Sequence, residues 1–91
     1  MVEKLLEDDT LFDSPFLRRI REEGREEGLL AARRRSIVEA LTLRFAPPAV
    51  IVQQVAQYVE TLTDAATLER LFTAAVRSAS LAEFQAAMTQ G

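Results

Sequence analysis

Apolar residues recur three and four positions apart along most of the chain, which is the spacing of one face of an α-helix. The pattern is clearest in three stretches after the double proline at 47–48. The first stretch carries its apolar residues at Ile51, Val52, Val55, Tyr58, Val59 and Leu62. The second carries them at Leu68, Leu71, Phe72, Ala75 and Val76, and the third at Leu81, Phe84, Ala87 and Met88. We therefore predict three short helices, at about 48–61, 64–78 and 81–89.

A longer helix is predicted to precede these three. Ser14 can accept a hydrogen bond from a free amide of the first turn, and Pro15 suits the first helical position. The next proline is Pro47, which disfavours helical geometry in the residue before it, so the helix should end near Phe45. At about 1.5 Å per residue, residues 15–45 make a helix of roughly 45 Å. The chain is thus predicted to be all-α.

Local signals mark where the later helices begin. Ser80 followed by Glu83 forms a capping box, in which each side chain accepts a hydrogen bond from a backbone N–H at the start of a helix. Either Thr63 or Asp64 can cap the preceding helix. The inward-facing positions of all four helices then give the predicted core: Val38, Leu41, Phe45, Val52, Val55, Val59, Leu68, Leu71, Phe72 and Phe84.

The long helix is too long for the rest of the chain to cover. A compact chain of 91 residues has a radius of gyration of about 12 Å and is roughly 30 Å across. Large apolar residues are absent between Arg21 and Gly28 and are frequent from Leu29 to Phe45. We therefore predict that residues 1–28 form an N-terminal arm with a protruding helix segment, and that residues 29–91 form a small helical domain.

The arm contains a short repeat that bears on its function. The sequence REEG occurs twice, at 21–24 and 25–28, and places two glycines four residues apart on one helical stripe. Each glycine costs a helix roughly 1 kcal/mol relative to alanine, but glycines at this spacing let two helix axes approach closely. We predict a homo-oligomer, a dimer or larger, that associates through Phe16, Leu17, Ile20, Gly24 and Gly28. The alternative is that residues 1–28 are a solvated linker.

Composition excludes several classes of site. The chain has no cysteine for a disulfide or thiolate site, and no histidine, the commonest neutral-pH acid–base group and metal ligand. Its acidic clusters do not have the alternating ligands and turn glycine of an EF-hand loop. We therefore expect no metal, cofactor or small-molecule substrate. Without a signal-peptide pattern or an apolar run long enough to span a membrane, a cytoplasmic protein with no membrane partner is expected.

Four segments, taken in order, match the pattern of a known family. They are REEGREEG at 21–28, LTLRF at 41–45 followed by the double proline, LTD at 62–64 and SLAEF at 80–84. This ordered set resembles the C-terminal helical region of bacterial Rpn-type transposase proteins, whose N-terminal domain is a PD-(D/E)XK nuclease. The resemblance implies a small helical tail domain that follows Glu-Glu-Gly repeats.

Two positions depart from this pattern. A glycine often follows the Arg-Phe pair in the family, but Ala46 stands there in this chain, so we expect the helix end to lack its usual left-handed cap. The nuclease motif has an acidic residue two positions before a lysine, which helps to hold the divalent metal that activates water. The one lysine here, Lys4, has Val2 at that position. The resemblance therefore carries no nuclease activity to this chain.

A single basic run supplies the alternative function. Arg33, Arg34 and Arg35 could contact a nucleic-acid backbone, although three consecutive helical residues spread over about 200° of the helix surface. The net charge of −3 also argues against bulk nucleic-acid binding. We therefore predict a non-enzymatic oligomerisation or protein-interaction module. The alternative is a nucleic-acid-binding accessory domain of a nuclease or transposase system.

Overall fold

The computed structural model describes residues 14–90 and consists of four α-helices in that part of the chain. Helix α1 spans Pro15–Phe45, α2 spans Ala49–Glu60, α3 spans Ala65–Arg77 and α4 spans Leu81–Gln90. These residues contain no strand, so the all-α prediction is confirmed, and each predicted helix end agrees to within one residue. Residues 1–13, which include the first part of the predicted arm, lie outside the described residues, as does Gly91.

Helix α1 begins at the predicted cap. The Ser14 hydroxyl accepts a hydrogen bond from the Leu17 amide at 3.1 Å, and Pro15 occupies the first helical position. The cap satisfies one of the N–H groups that have no acceptor within the helix. Helix α4 uses the predicted serine in the same way, since the Ser80 hydroxyl accepts from the Glu83 amide at 3.2 Å.

Asp64 caps α3 through one carboxylate oxygen. This oxygen accepts hydrogen bonds from the Thr67 amide at 3.0 Å and from the Thr67 hydroxyl at 2.7 Å. Both bonds favour the charged carboxylate, and together they hold the pKa of Asp64 below its usual value. Of the two candidates that the sequence offered for this cap, Asp64 takes the role.

The end of α1 corrects one expectation. Ala46 itself adopts the left-handed conformation, with φ 45° and ψ 56°, and its amide donates to the Thr42 carbonyl at 3.1 Å. The expected absence of a left-handed cap was therefore wrong: the chain keeps the cap without a glycine. A left-handed alanine is strained by roughly 1–2 kcal/mol because its Cβ crowds the following carbonyl oxygen. The two prolines that follow still require the helix to stop here.

The core lies where the C-terminal half of α1 packs against the three short helices. Eight apolar residues are almost fully buried there: Ile37, Leu41, Val55, Val59, Leu68, Leu71, Ala75 and Phe84. Six of them belong to the predicted core. That set omits Ile37 and Ala75, although Ala75 lies on the predicted apolar face of its helix. Three other predicted residues, Val38, Phe45 and Phe72, are half-buried against this cluster. Val52 is half-buried but is not part of it.

The N-terminal half of α1 extends beyond this core. The first α1 residue that packs against the cluster is Leu30, and of residues 15–29 all but Leu17 are exposed. The radius of gyration is 18.5 Å, against about 12 Å for a compact chain of this length. The longest dimension is 56 Å, more than twice the other two. The protein therefore has a small helical body and a projecting helix.

We expect Ala46→Gly to stabilise the fold by about 1 kcal/mol, because glycine adopts the left-handed conformation without the Cβ clash. Urea denaturation followed by circular dichroism measures the change. The matched control is Ala86→Gly, at an exposed position inside α4, which should destabilise by about the same amount. A loss of stability in both variants would contradict the strain at Ala46.

We expect the stability advantage of the wild type over Asp64→Asn to shrink as the pH falls below about 4. The pKa of Asp64 is lower in the folded chain than its unfolded value of about 3.9. Its charge therefore stabilises the fold above the unfolded pKa, and this contribution is lost as the pH falls through the folded pKa. Asparagine caps helices at every pH. Parallel urea titrations of both proteins between about pH 2.5 and pH 7 test this, and a pH-independent difference would refute it.

Candidate interaction surface

The projecting half of α1 carries the five residues that the sequence marks for association. We call residues 15–28 the arm, and Phe16, Leu17, Ile20, Gly24 and Gly28 the seam. Phe16 is 65% exposed and Ile20 is 47% exposed, while Leu17 is half-buried. At 100° per residue the seam falls within an arc of about 120°, so the helix brings all five residues to one face.

The two glycines of the seam have no structural requirement within the described chain. Both lie inside a regular helix without a positive φ, and a Cβ atom added to either would meet nothing within 4 Å. Neither a turn nor a close contact inside the chain therefore calls for glycine at these positions. Each one lowers helix stability by roughly 1 kcal/mol relative to alanine. What the glycines provide is open space on the outer surface of the arm.

The arm is a helix that its own sequence supports only weakly. The arm makes no contact with the core, so its helical state depends on propagation from the rest of α1, and two of its 14 residues are glycine. Pairs of arginine and glutamate three or four residues apart each contribute about 0.2–0.5 kcal/mol. These pairs do not offset two glycines. The arm would gain stability from contact with a second surface.

The three consecutive arginines at the base of the arm point in different directions. Arg33 faces α3: its guanidinium lies 2.9 Å from the Glu69 carboxylate, and its central carbon lies 4.8 Å from the centre of the Phe72 ring. Arg35 is exposed. Arg33 therefore contributes to the packing of α1 on α3, where an aromatic ring and a carboxylate both favour its charge.

Arg34 faces α2 and donates hydrogen bonds to carbonyl groups at the C-terminal end of that helix. Its Nε donates to the Val59 carbonyl at 3.0 Å, and a terminal nitrogen donates to the Leu62 carbonyl at 2.7 Å. Carbonyl groups at the end of a helix have no partner inside it and carry partial negative charge, so a guanidinium is a favourable donor there. The structure therefore does not bring Arg33, Arg34 and Arg35 together as one basic surface.

Two further side chains donate hydrogen bonds to carbonyl groups near the ends of other helices. Arg44 of α1 donates to the Ala75 and Ser78 carbonyls at the end of α3, at 2.9 and 2.7 Å. The Tyr58 hydroxyl of α2 donates to the Met88 carbonyl in α4 at 3.1 Å. Sequence reasoning missed these contacts because they join residues about 30 positions apart. The sequence analysis named Arg44 only as part of the LTLRF segment at 41–45.

The remaining surface offers little preorganised chemistry. A shallow cleft between α3 and α4 is lined by Arg70, Arg77 and Glu83 and is open to solvent. In the part of the chain that the structure describes, no group of three or more acidic, histidine or cysteine side chains could hold a metal ion. Among residues 14–90, no helix combines the length and the apolar character of a membrane span. The seam is therefore the best-defined candidate for a binding surface.

Comparison of the chain with known proteins finds no matching family model, no matching curated protein and no matching solved structure.

We expect Arg34→Met to lower the free energy of unfolding by about 1.5–3 kcal/mol. Methionine keeps an unbranched apolar stem but removes two charge-assisted hydrogen bonds to carbonyls at the end of α2. The matched control is Arg35→Met, which removes the same charge from an exposed position and should change stability by no more than about 0.5 kcal/mol. Urea denaturation of both variants measures the difference, and equal effects would contradict the role of Arg34.

Proposed function

We propose that this chain is a non-enzymatic self-association module in which the seam of one copy binds the seam of another. The observation that carries the proposal is the combination of exposed apolar side chains with open space above Gly24 and Gly28. Small residues four apart allow two helix backbones to approach, so that side chains on either side of the glycines interlock. The same contact would bury Phe16 and Ile20.

The energy available from this surface sets the expected affinity. Full burial of a Phe or Ile side chain contributes about 1.5–3 kcal/mol, and two arms would bury four such side chains, each already partly covered. Association itself costs at least about 4 kcal/mol. We therefore expect a weak complex, with a Kd on the order of tens of micromolar. In a tail region of the Rpn type, which the sequence resembles, such an arm would join copies of the whole protein.

Self-association is tested by light scattering and sedimentation equilibrium on the full chain from about 10 to 300 μM. We expect the average mass to rise with concentration and to approach that of a dimer or a larger oligomer, because the predicted Kd lies within this range. A chain that remains monomeric above about 100 μM would overturn the proposal and favour the solvated-linker alternative.

A double variant tests whether the glycines are at the contact. Gly24→Gln with Gly28→Gln should weaken self-association at least about tenfold, because two long side chains fill the space where the helices meet. Glutamine is a better helix former than glycine, so this loss would not come from unfolding of the arm. The matched control is Glu22→Gln with Glu26→Gln, on the opposite face of the arm. Equal association of both double variants would place the contact elsewhere.

A further inference from the structure

Charged residues flank the glycines of the seam with opposite sign on the two sides. Relative to the line midway between Gly24 and Gly28, Glu27 and Glu23 lie about 80° and 120° to one side on a regular helix. Arg21 and Arg25 lie about 40° and 80° to the other side. All four are exposed on the arm. Arg21 also has an interaction within the chain, and the charge of Arg25 is enough to give this flank its positive sign.

The symmetry of a helix pair decides which flanks meet. In a parallel pair the two-fold axis runs along the helices, so the left flank of one helix lies beside the right flank of the other. In an antiparallel pair the two-fold axis is perpendicular to the helices, and each flank lies beside the same flank of the other copy. Opposite charges across such a contact attract and like charges repel.

We propose that the arms pair in parallel and in register, an inference that rests on the proposed self-association. In this arrangement Arg25 of one copy lies beside the flank of its partner that carries Glu23 and Glu27. Along the helix axis, each of these two glutamates is about two residues, or roughly 3 Å, from Arg25. Two-fold symmetry forms each such contact twice. The antiparallel arrangement would instead place arginine beside arginine and glutamate beside glutamate.

Parallel pairing fixes where the two domains lie. Because α1 continues without a break from the arm into the core, both helical bodies sit at the same end of the complex. The occupant of the seam is therefore a second copy of this chain in one orientation. Groups attached at the N-terminal side of the two arms would be brought together at the other end.

Distance measurement between spin labels distinguishes the two orientations. The chain has no cysteine, so Leu43→Cys supplies one labelling site, at a position that is 87% exposed and outside the seam. In an antiparallel pair centred anywhere on the arm, the two labels are at least about 45 Å apart along the axis. In a parallel pair they are level along the axis, and we expect a clearly shorter distance, below about 40 Å.

Reversal of one charge on the arginine flank gives an independent test, measured as the change in the affinity of self-association. Arg25→Glu should weaken a parallel pair about fivefold, because two attractive contacts become repulsive. It should change the affinity of an antiparallel pair centred on the glycines little, because residue 25 of each copy then lies within about two residues of residue 25 of the other, and one like-charge contact replaces another. The matched control is Arg19→Glu, which makes the same change in charge on the opposite face of the arm and should have little effect.

The outcomes separate the two proposals. A concentration-dependent dimer with a short label distance and a weakened Arg25→Glu variant supports parallel pairing. A dimer with labels at least about 45 Å apart, or one that Arg25→Glu does not weaken, overturns parallel pairing and leaves self-association standing. A chain that stays monomeric at about 300 μM by light scattering overturns both.

Discussion

The fold depends on how the three short helices close their C-terminal ends. The last carbonyl groups of a helix have no amide partner inside it, and burying them without a donor is costly. In this protein local donors are joined by donors from other helices: Arg34 donates at the end of α2, Arg44 donates at the end of α3, and Tyr58 donates to a carbonyl near the end of α4. Two of these three donors lie on α1. The long helix is therefore a scaffold that fixes both the core packing and the polar ends of its neighbours.

This arrangement couples the body of the protein to its arm. Helix α1 contains Arg34, Arg44 and the buried residues Ile37 and Leu41, and it continues toward the N-terminus as the arm. Because no cap, proline or glycine interrupts the helix between Gly28 and the core, the direction of the arm follows from the packing of the body. A contact made by the arm would therefore also orient the helical body, without any further contact between the two.

Local chemistry explains which features the sequence could predict. Helix limits depend on caps and prolines within a few residues, so Ser14, Asp64 and Ser80 were identifiable from the sequence. The left-handed Ala46 was not, because two prolines and the Thr42 carbonyl impose a geometry that alanine does not favour. The partners of Arg34 were also beyond local reasoning, since they lie 25 and 28 residues away. For the seam, helical periodicity predicted the common face, and the length of the helix together with the lack of large apolar residues between Arg21 and Gly28 predicted that this segment protrudes.

Within the described chain, Gly24 and Gly28 have no close neighbour that would require a glycine at these positions. An interior glycine of a helix can be required by a close approach of another backbone, and no such neighbour exists for these two in the described chain. They lower helix stability in the arm, which is the part of α1 without contacts to the core. The charged residues nearest to these glycines are ordered by sign, with Glu23 and Glu27 on one side and Arg21 and Arg25 on the other, although charges that serve only solvation need no such order. Helix propensity alone accounts for neither feature, whereas the proposed pairing of two arms would account for both: the space would admit a second backbone, and the charged flanks would select its direction.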